Sequence, residues 1–436
     1  MRTRSILLTA LALTLALPGC SVLGISPAGP GTGGHAPAAT SPIERPAPTL
    51  PRLDLGAEPL ASGLPSGSLI DPVVDGRMLS VTGTGSILVS VDLQTGKELW
   101  SRDTGGAFEG VGENVRIDGE LAGLEDAALM RVTHYGCADD CGPGEDPADQ
   151  GWGLVAMSPQ DGSVAWSTVI APPVAPDHPD RDYQDHLVIQ SATVSSGVIV
   201  LGLEVDGDLR SEPPAGAPMQ LSIGVDAASG KELWRTEGFV LDGRGVDVGW
   251  GELTDPSAPD AADEDVPALM DLRTGEILAR TEHPGADIAG VGATGALLEL
   301  EDEAVYQWVG PNGQDVPGGE VRGESDCARG PGPLTCTIGP DGVMTTLTEE
   351  GELVSAGPSE FRSLLFTDGD YVFAIDPTAD LPPTGALRAT VALDRSGNRL
   401  SDPVPGVAEL RTGDLLLLSE AGADGQSVEV RSITPV

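Results

Sequence analysis

Five cysteines stand out first among the residues able to do chemistry in this chain of 436. Cys20 closes the stretch Leu17-Pro18-Gly19-Cys20, which follows a basic start (Arg2, Arg4) and an apolar run from Ile6 to Leu17. That run is shorter than the about 20 residues needed to cross a bilayer. A basic start, a short apolar run and a cysteine behind a small residue make a secretory signal whose thiol is lipidated before the new chain begins at that cysteine. Pro18 departs from the Ala, Ser or Thr usual at that position. Residues 1–20 are therefore expected to be a lipoprotein signal peptide, with palmitate-type lipidation at Cys20 and an extracytoplasmic chain anchored to the cell membrane. Plain secretion is the rival reading, and no small-x-small cleavage site precedes the cysteine to support it.

The other four cysteines are Cys137, Cys141, Cys327 and Cys336. Outside the cytoplasm disulfides persist, so local bridges Cys137–Cys141 and Cys327–Cys336 are expected. A four-thiolate metal centre is the competing chemistry, but neither spacing fits a zinc pattern. No metal site is assigned.

Two acidic stretches could hold cations. Asp177-His178-Pro179-Asp180-Arg181-Asp182-Tyr183-Gln184-Asp185-His186 is dense in oxygen and nitrogen ligands, and Asp260-Ala261-Ala262-Asp263-Glu264-Asp265 is a carboxylate run. Neither has the spacing of a twelve-residue calcium loop, and both read as solvated loops. Of catalytic motifs, the sequence holds no Gly-x-Ser-x-Gly elbow, no His-Glu-x-x-His and no phosphate-cradling glycine loop. The histidines (35, 134, 178, 186, 283) form no recognisable arrangement, and no catalytic or cofactor-binding residue is assigned.

Charge narrows the partners. With 67 acidic against 24 basic residues the formal charge is -43. A polyanion does not seek nucleic acid or anionic lipid head groups. An aromatic content of 3% leaves few platforms for stacking sugar rings.

Residues 21–48 are Gly, Pro, Ala, Ser and Thr with almost no bulky apolar side chain, and they read as a disordered tether. As a flexible coil such a segment spans roughly 30 Å. Beyond it, one phrase keeps returning. Val91-Asp92-Leu93-Gln94-Thr95-Gly96-Lys97-Glu98-Leu99-Trp100 is echoed by Val225-Asp226-Ala227-Ala228-Ser229-Gly230-Lys231-Glu232-Leu233-Trp234. Between them lies Met157-Ser158-Pro159-Gln160-Asp161-Gly162-Ser163-Val164-Ala165-Trp166, and Met270 to Leu278 repeats the plan around Gly275. Weaker copies centre on Gly313, Gly351 and Gly397. Each phrase reads as strand, tight turn, strand, with the glycine supplying a positive φ and the Asp or Ser four residues earlier tying the turn.

A period of about 40 residues with several short strands per unit is the pattern of propeller blades, which bury their faces only by stacking on neighbours. The first blade places strands near 68 to 74, 78 to 82, 86 to 92 and 98 to 102. After the seventh phrase three strands remain, so a segment ahead of the first blade, residues 49 to 58, is expected to complete an eighth blade and leave no open sheet edge. The fold is thus all-β, a single propeller of four-stranded antiparallel blades over 49–436, with eight blades, or seven if a degenerate phrase such as that at Gly313 is miscounted.

The phrase resembles the PQQ-like β-propeller repeat, over residues 68 to 404 and most strongly in three copies. That family includes quinoprotein dehydrogenases and the non-catalytic BamB-type lipoproteins of outer-membrane assembly. The resemblance implies that Trp100, Trp166 and Trp234 pack between blades against the neighbouring turn, beside Gly96, Gly162 and Gly230. Ala279, Pro317, Ser355 and Ser401 replace the tryptophan in later copies, so docking there must differ. The Cys137 pair does not match the adjacent-cysteine ring of quinoprotein alcohol dehydrogenases, and a quinone tricarboxylate needs basic residues that this chain holds sparingly. The expected function is a membrane-tethered, non-catalytic scaffold binding an envelope protein. A PQQ-dependent dehydrogenase and an extracellular ligand- or glycan-binding module are the alternatives.

Overall fold

A computed structural model describes residues 50–436 except 57, 66–72, 83–86, 106–110, 112–114, 136–149, 176, 208, 245–246, 255–264, 301–303, 331, 370, 380–387 and 423–424. Cys20, the tether, Cys137, Cys141 and the run 260–264 therefore lie outside the described residues.

The middle strands of each unit explain why the units must stack. Val198–Val205 reads Val-Ile-Val-Leu-Gly-Leu-Glu-Val and is buried along almost its whole length. A strand apolar on both faces needs cover on both faces, which a single sheet cannot supply. Outer strands behave oppositely: Lys97–Asp103 is mostly exposed and carries Lys97, Glu98, Arg102 and Asp103. Buried in the middle and wet at the rim, each sheet is a blade.

Among the described residues there are eight four-stranded antiparallel sheets. Blade 1 comprises Val73–Val74, Arg77–Thr82, Ile87–Asp92 and Lys97–Asp103. Blades 2 to 7 follow at 115–171, 187–237, 239–280, 287–322, 325–358 and 364–405. Innermost strands touch around the ring, as Leu187–Ser195 does Phe239–Arg244, and Phe239–Arg244 does Asp287–Gly292. Apolar clusters lie between consecutive blades; one joins Leu129, Leu154 and Trp166 of blade 2 to Ile199, Leu201 and Ile223 of blade 3. Each such buried aliphatic contributes about 1.5–3 kcal/mol over its exposed state.

The eighth blade consists of Val407–Thr412, Leu415–Gly422 and Gly425–Ser432, with Ala61–Pro65 as its outermost strand. This corrects the closing segment: residues 61–65 complete the blade, not 49–58. Leu53–Asp54 instead forms its own small ladder with Thr434–Pro435. Leu53 and Leu55 are buried with Phe366, Phe373 and Ile433 over the seam of blades 7 and 8. Leu64 seats the strand 61–65 in the eighth blade, buried against Val89, Val91 and Val430.

The acidic insertion is corrected as well. Pro179–His186 is an α-helix, α1, rather than a loop. Pro stands in its first turn, where its missing N–H costs nothing, and the His178 ring accepts from the Asp180 N–H as a cap. Its acids serve local contacts: Asp182 accepts from the Ser211 N–H at 2.8 Å, and Arg181 meets Asp185 at 3.3 Å.

Candidate functional site

Because strands alternate in direction, each blade presents its first and third hairpins at one end of the ring and its second hairpin and exit connection at the other. The repeat turns occupy the first end. All seven of their glycines have positive φ, from 64° at Gly96 to 77° at Gly313. The Asp92 carboxylate accepts from the Thr95 N–H and hydroxyl at 2.8 and 2.7 Å, and Asp271 accepts from the Arg273 and Thr274 N–H groups.

Neighbouring blades meet at these turns. Trp100 Nε1 donates to Pro159 O at 3.1 Å and Trp166 Nε1 to Ala227 O at 2.9 Å, each on the turn of the following blade. The Trp234 indole covers Gly275 so closely that a Cβ there would enter it. Where tryptophan is lost the contact shrinks: Ala279 faces Gly313, Ser359 faces Gly397, and Gly351 has open space. At the closure Ala61 of blade 8 covers Gly96 of blade 1.

The opposite end carries the connection 206–219, apart from residue 208, together with α1. Here carboxylates gather around Glu252, on the second strand of blade 4. Its register partners are Val240 and Pro267. Burial first, then Asp265, Asp242, Asp287 and Glu204, push the Glu252 carboxyl up to about 7. Below it Gln220, itself buried, donates to Asp265 at 3.2 Å. The Thr254 hydroxyl lies 2.7 Å from Gln220 Oε1 and 2.6 Å from Asp265 Oδ1, and donates to one of them at a time.

The innermost strands share a bulge. In six innermost strands the ladder skips one residue at the same level: Asp118, Gln190, Asp242, Ala289, Leu365 and Glu409. A bulged residue has no partner across the ladder and is re-aimed by the extra twist: Asp118, Gln190 and Asp242 are exposed, whereas Ala289 and Leu365 pack against apolar clusters between blades. Asp242 reaches water there, yet the protein walls around it push its carboxyl above the usual range, opposed by the charge of Arg329. Asp326, on the three-residue inner strand of blade 6, is raised by burial and held back by the Leu364 N–H and by Arg329. The Asp118 carboxylate sits 3.4 Å from Arg131 and accepts from the Thr133 hydroxyl.

Of the sequence-assigned residues, Cys327 and Cys336 stand opposite each other across two strands and are joined by a disulfide. His134 is held below its usual pKa by burial in blade 2, His178 caps α1 and His186 is its last residue, and His283 pairs with Asp315 at 2.8 Å. No three His, Cys, Asp or Glu side chains among the described residues converge as metal ligands. Sequence reading missed Asp118, Asp242, Glu252 and Glu409. A signal existed for two of them: Asp118-Gly119 and Asp242-Gly243 read as turns, but each falls inside an apolar strand, where such a pair marks a bulge.

Eight stacked blades with inter-blade indoles at the turns define a β-propeller. Residues 49–237 match the family model described as outer membrane protein assembly factor BamB. No curated protein matches the sequence. Among solved structures, BamB from Moraxella catarrhalis is similar at 12% identity and a TM-score of 0.43, over 86% of this chain and 99% of that one. The quinohemoprotein alcohol dehydrogenase from Comamonas testosteroni is similar at 12% identity and a TM-score of 0.43, over 87% of this chain and 76% of that one. At such identities and scores these two structures bear on neither activity nor partner.

Proposed function

We propose that the chain is a non-catalytic scaffold of the cell envelope, lipidated at Cys20, held outside the cytoplasm by the tether 21–48, and binding another envelope protein with one end of its propeller. The observation that carries this reading is the separation of the two ends. The chain enters at the end of the repeat turns, where Val436 donates to Arg52 O and Leu53 to Leu400 O. The connection 206–219, apart from residue 208, and α1 lie at the other end. Loops positioned by a rigid scaffold are where recognition concentrates, and the family match over residues 49–237 supports a protein partner rather than a substrate.

Photo-crosslinking in cells tests it, with the reactive residue at Ser211 on the long-loop end or at Ser229 on a repeat turn. A discrete adduct from position 211 and none from 229 is the expected result. Equal labelling from both positions, or none from either, would overturn the end-on docking. Incorporation of labelled palmitate, abolished by Cys20→Ala, is expected for the anchor; incorporation that survives the substitution would remove it.

A further inference from the structure

We infer that Val164–Ala171, the outermost strand of blade 2, takes an extended segment of another protein as a fifth strand, a segment uncharged where it pairs and basic at its ends. Among the described residues no strand pairs with the far side of this one. An outermost strand presents a row of backbone donors and acceptors that invites pairing, and charges, proline or brevity normally blunt it. The other seven blades are blunted in those ways. Lys97–Asp103 of blade 1, Glu232–Glu237 of blade 3 and Asp315–Arg322 of blade 5 carry charges of both signs. Ile277–Arg280 of blade 4 is four residues long and ends in an arginine. The outermost strands of blades 6, 7 and 8 end at Pro358, Pro405 and Pro65.

Blade 2 departs from all of them. Its strand reads Val-Ala-Trp-Ser-Thr-Val-Ile-Ala, 8 residues without a charge, proline or glycine in a chain that is 21% charged. It is rich in the β-branched types that suit a ladder. Within it Trp166 alone is buried, docked on the turn of blade 3, while Val169 stands 49% exposed. Charge selects the occupant. A second copy of the chain would bring another formal charge of -43 to the edge, whereas the same charge attracts basic flanks on a different protein. In such strand addition the ladder bonds supply affinity and the alternate side chains supply choice. The strand lies on the outer rim of the ring, so this contact is separate from the end-on docking.

Hydrogen exchange at residues 164–171 of the whole chain tests this, with a synthetic peptide of alternating valine and threonine and a lysine at each end as the probe. In the dilute free chain the amides of this strand that point away from the blade should exchange fast. Peptide at about ten times its dissociation constant should slow them about tenfold. The same peptide with a central proline should not slow them, and glutamates in place of the terminal lysines should weaken binding several-fold at low salt. Val169→Lys should abolish the slowing, and Leu233→Lys, at an equally exposed position on blade 3, should keep it. The proline comparison needs no variant, so it decides the matter even if Val169→Lys folds poorly. No slowing by the lysine-ended peptide, or equal slowing by the proline or glutamate peptide, overturns the inference. So does slow exchange of the whole strand in the dilute free chain, because this chain's own residues would then cover the edge, and so does slowing on concentrating the protein alone, because the occupant would then be a second copy. A missing adduct at position 211 bears only on the end-on docking, so the failure of that reading and the failure of this one remain distinguishable.

Discussion

The indole of Trp166, on the outer strand of blade 2, lies flat on Gly230 in the turn of blade 3: a Cβ on that glycine would enter the ring at Cε3. The same indole donates to Ala227 O at 2.9 Å, and Gly230 has φ of 70°. Gly230→Ala must then both strain the backbone and push the tryptophan off the turn, at a cost of about 2–4 kcal/mol. Gly351 has φ of 76° and open space around it. Gly351→Ala carries only the backbone strain, about 1–2 kcal/mol. Urea titration of the two variants followed by tryptophan emission should rank them in that order, with the emission of the folded state, before urea is added, red-shifted only for Gly230→Ala.

A buried ion pair stands beside the ring closure. Arg431 and Glu429 are 6% and 7% exposed, they contact each other, and Arg431 also donates to Gly56 O at 2.7 Å. Removing the guanidinium leaves a buried carboxylate alone and releases the segment that carries Leu53 and Leu55. Arg431→Ala should lower stability by about 3–5 kcal/mol. Limited proteolysis should then cut first near residues 56–60; an unchanged cleavage pattern would mean that the apolar seam closes the ring without the pair.

The Glu252 carboxyl stands at about 7 rather than at the ordinary 4.5. The folded state thus binds more protons than the unfolded chain between these values, and stability contributed by neutral Glu252 is complete below about 4.5 and lost as pH rises through 7. Melting temperature should fall from pH 5 to pH 8 in the parent, and Glu252→Gln should flatten that slope and melt higher at pH 8. A steeper slope in the variant would place the responsible proton elsewhere.

The Cys327–Cys336 bridge spans a separation of 9 residues and holds the three-residue inner strand of blade 6 to its neighbour. Closing so short a loop constrains the unfolded chain by about 2.5 kcal/mol. Cys327→Ser/Cys336→Ser should lose that amount in denaturant unfolding, and hydrogen exchange should quicken at residues 325–338 before other blades respond.

A formal charge of -43 opposes compaction at long range. Raising salt from about 0.01 to 0.5 M shortens the screening length from roughly 30 Å to below 8 Å. The melting temperature should rise across that range at pH 7.5; a flat response would mean that the carboxylates are better paired than their number suggests.

The sequence by itself determined the blade plan. A turn glycine at each phrase and apolar strands beside it are local requirements, satisfied by residues within ten positions of one another, so Gly96, Gly162, Gly230 and Gly275 could be read without knowing what surrounds them. The need for an eighth blade was also legible, because three strands were left over after Gly397. Which residues filled the last place was not. Ala61–Pro65 wins it through Leu64 against Val430, a contact between the two ends of the chain, and Ala61 against Gly96 of blade 1. Helix α1 was missed because its cap is a histidine ring and its packing partners are Ser211 and Pro218, far along the chain. The acidic cluster at Glu252 and the bulge positions Asp118, Asp242 and Glu409 belong to tertiary structure alone. Closing eight twisted sheets into a ring sets where each inner ladder skips a residue, and only the closed ring brings carboxylates from blades 3, 4 and 5 close enough to raise one another's pKa.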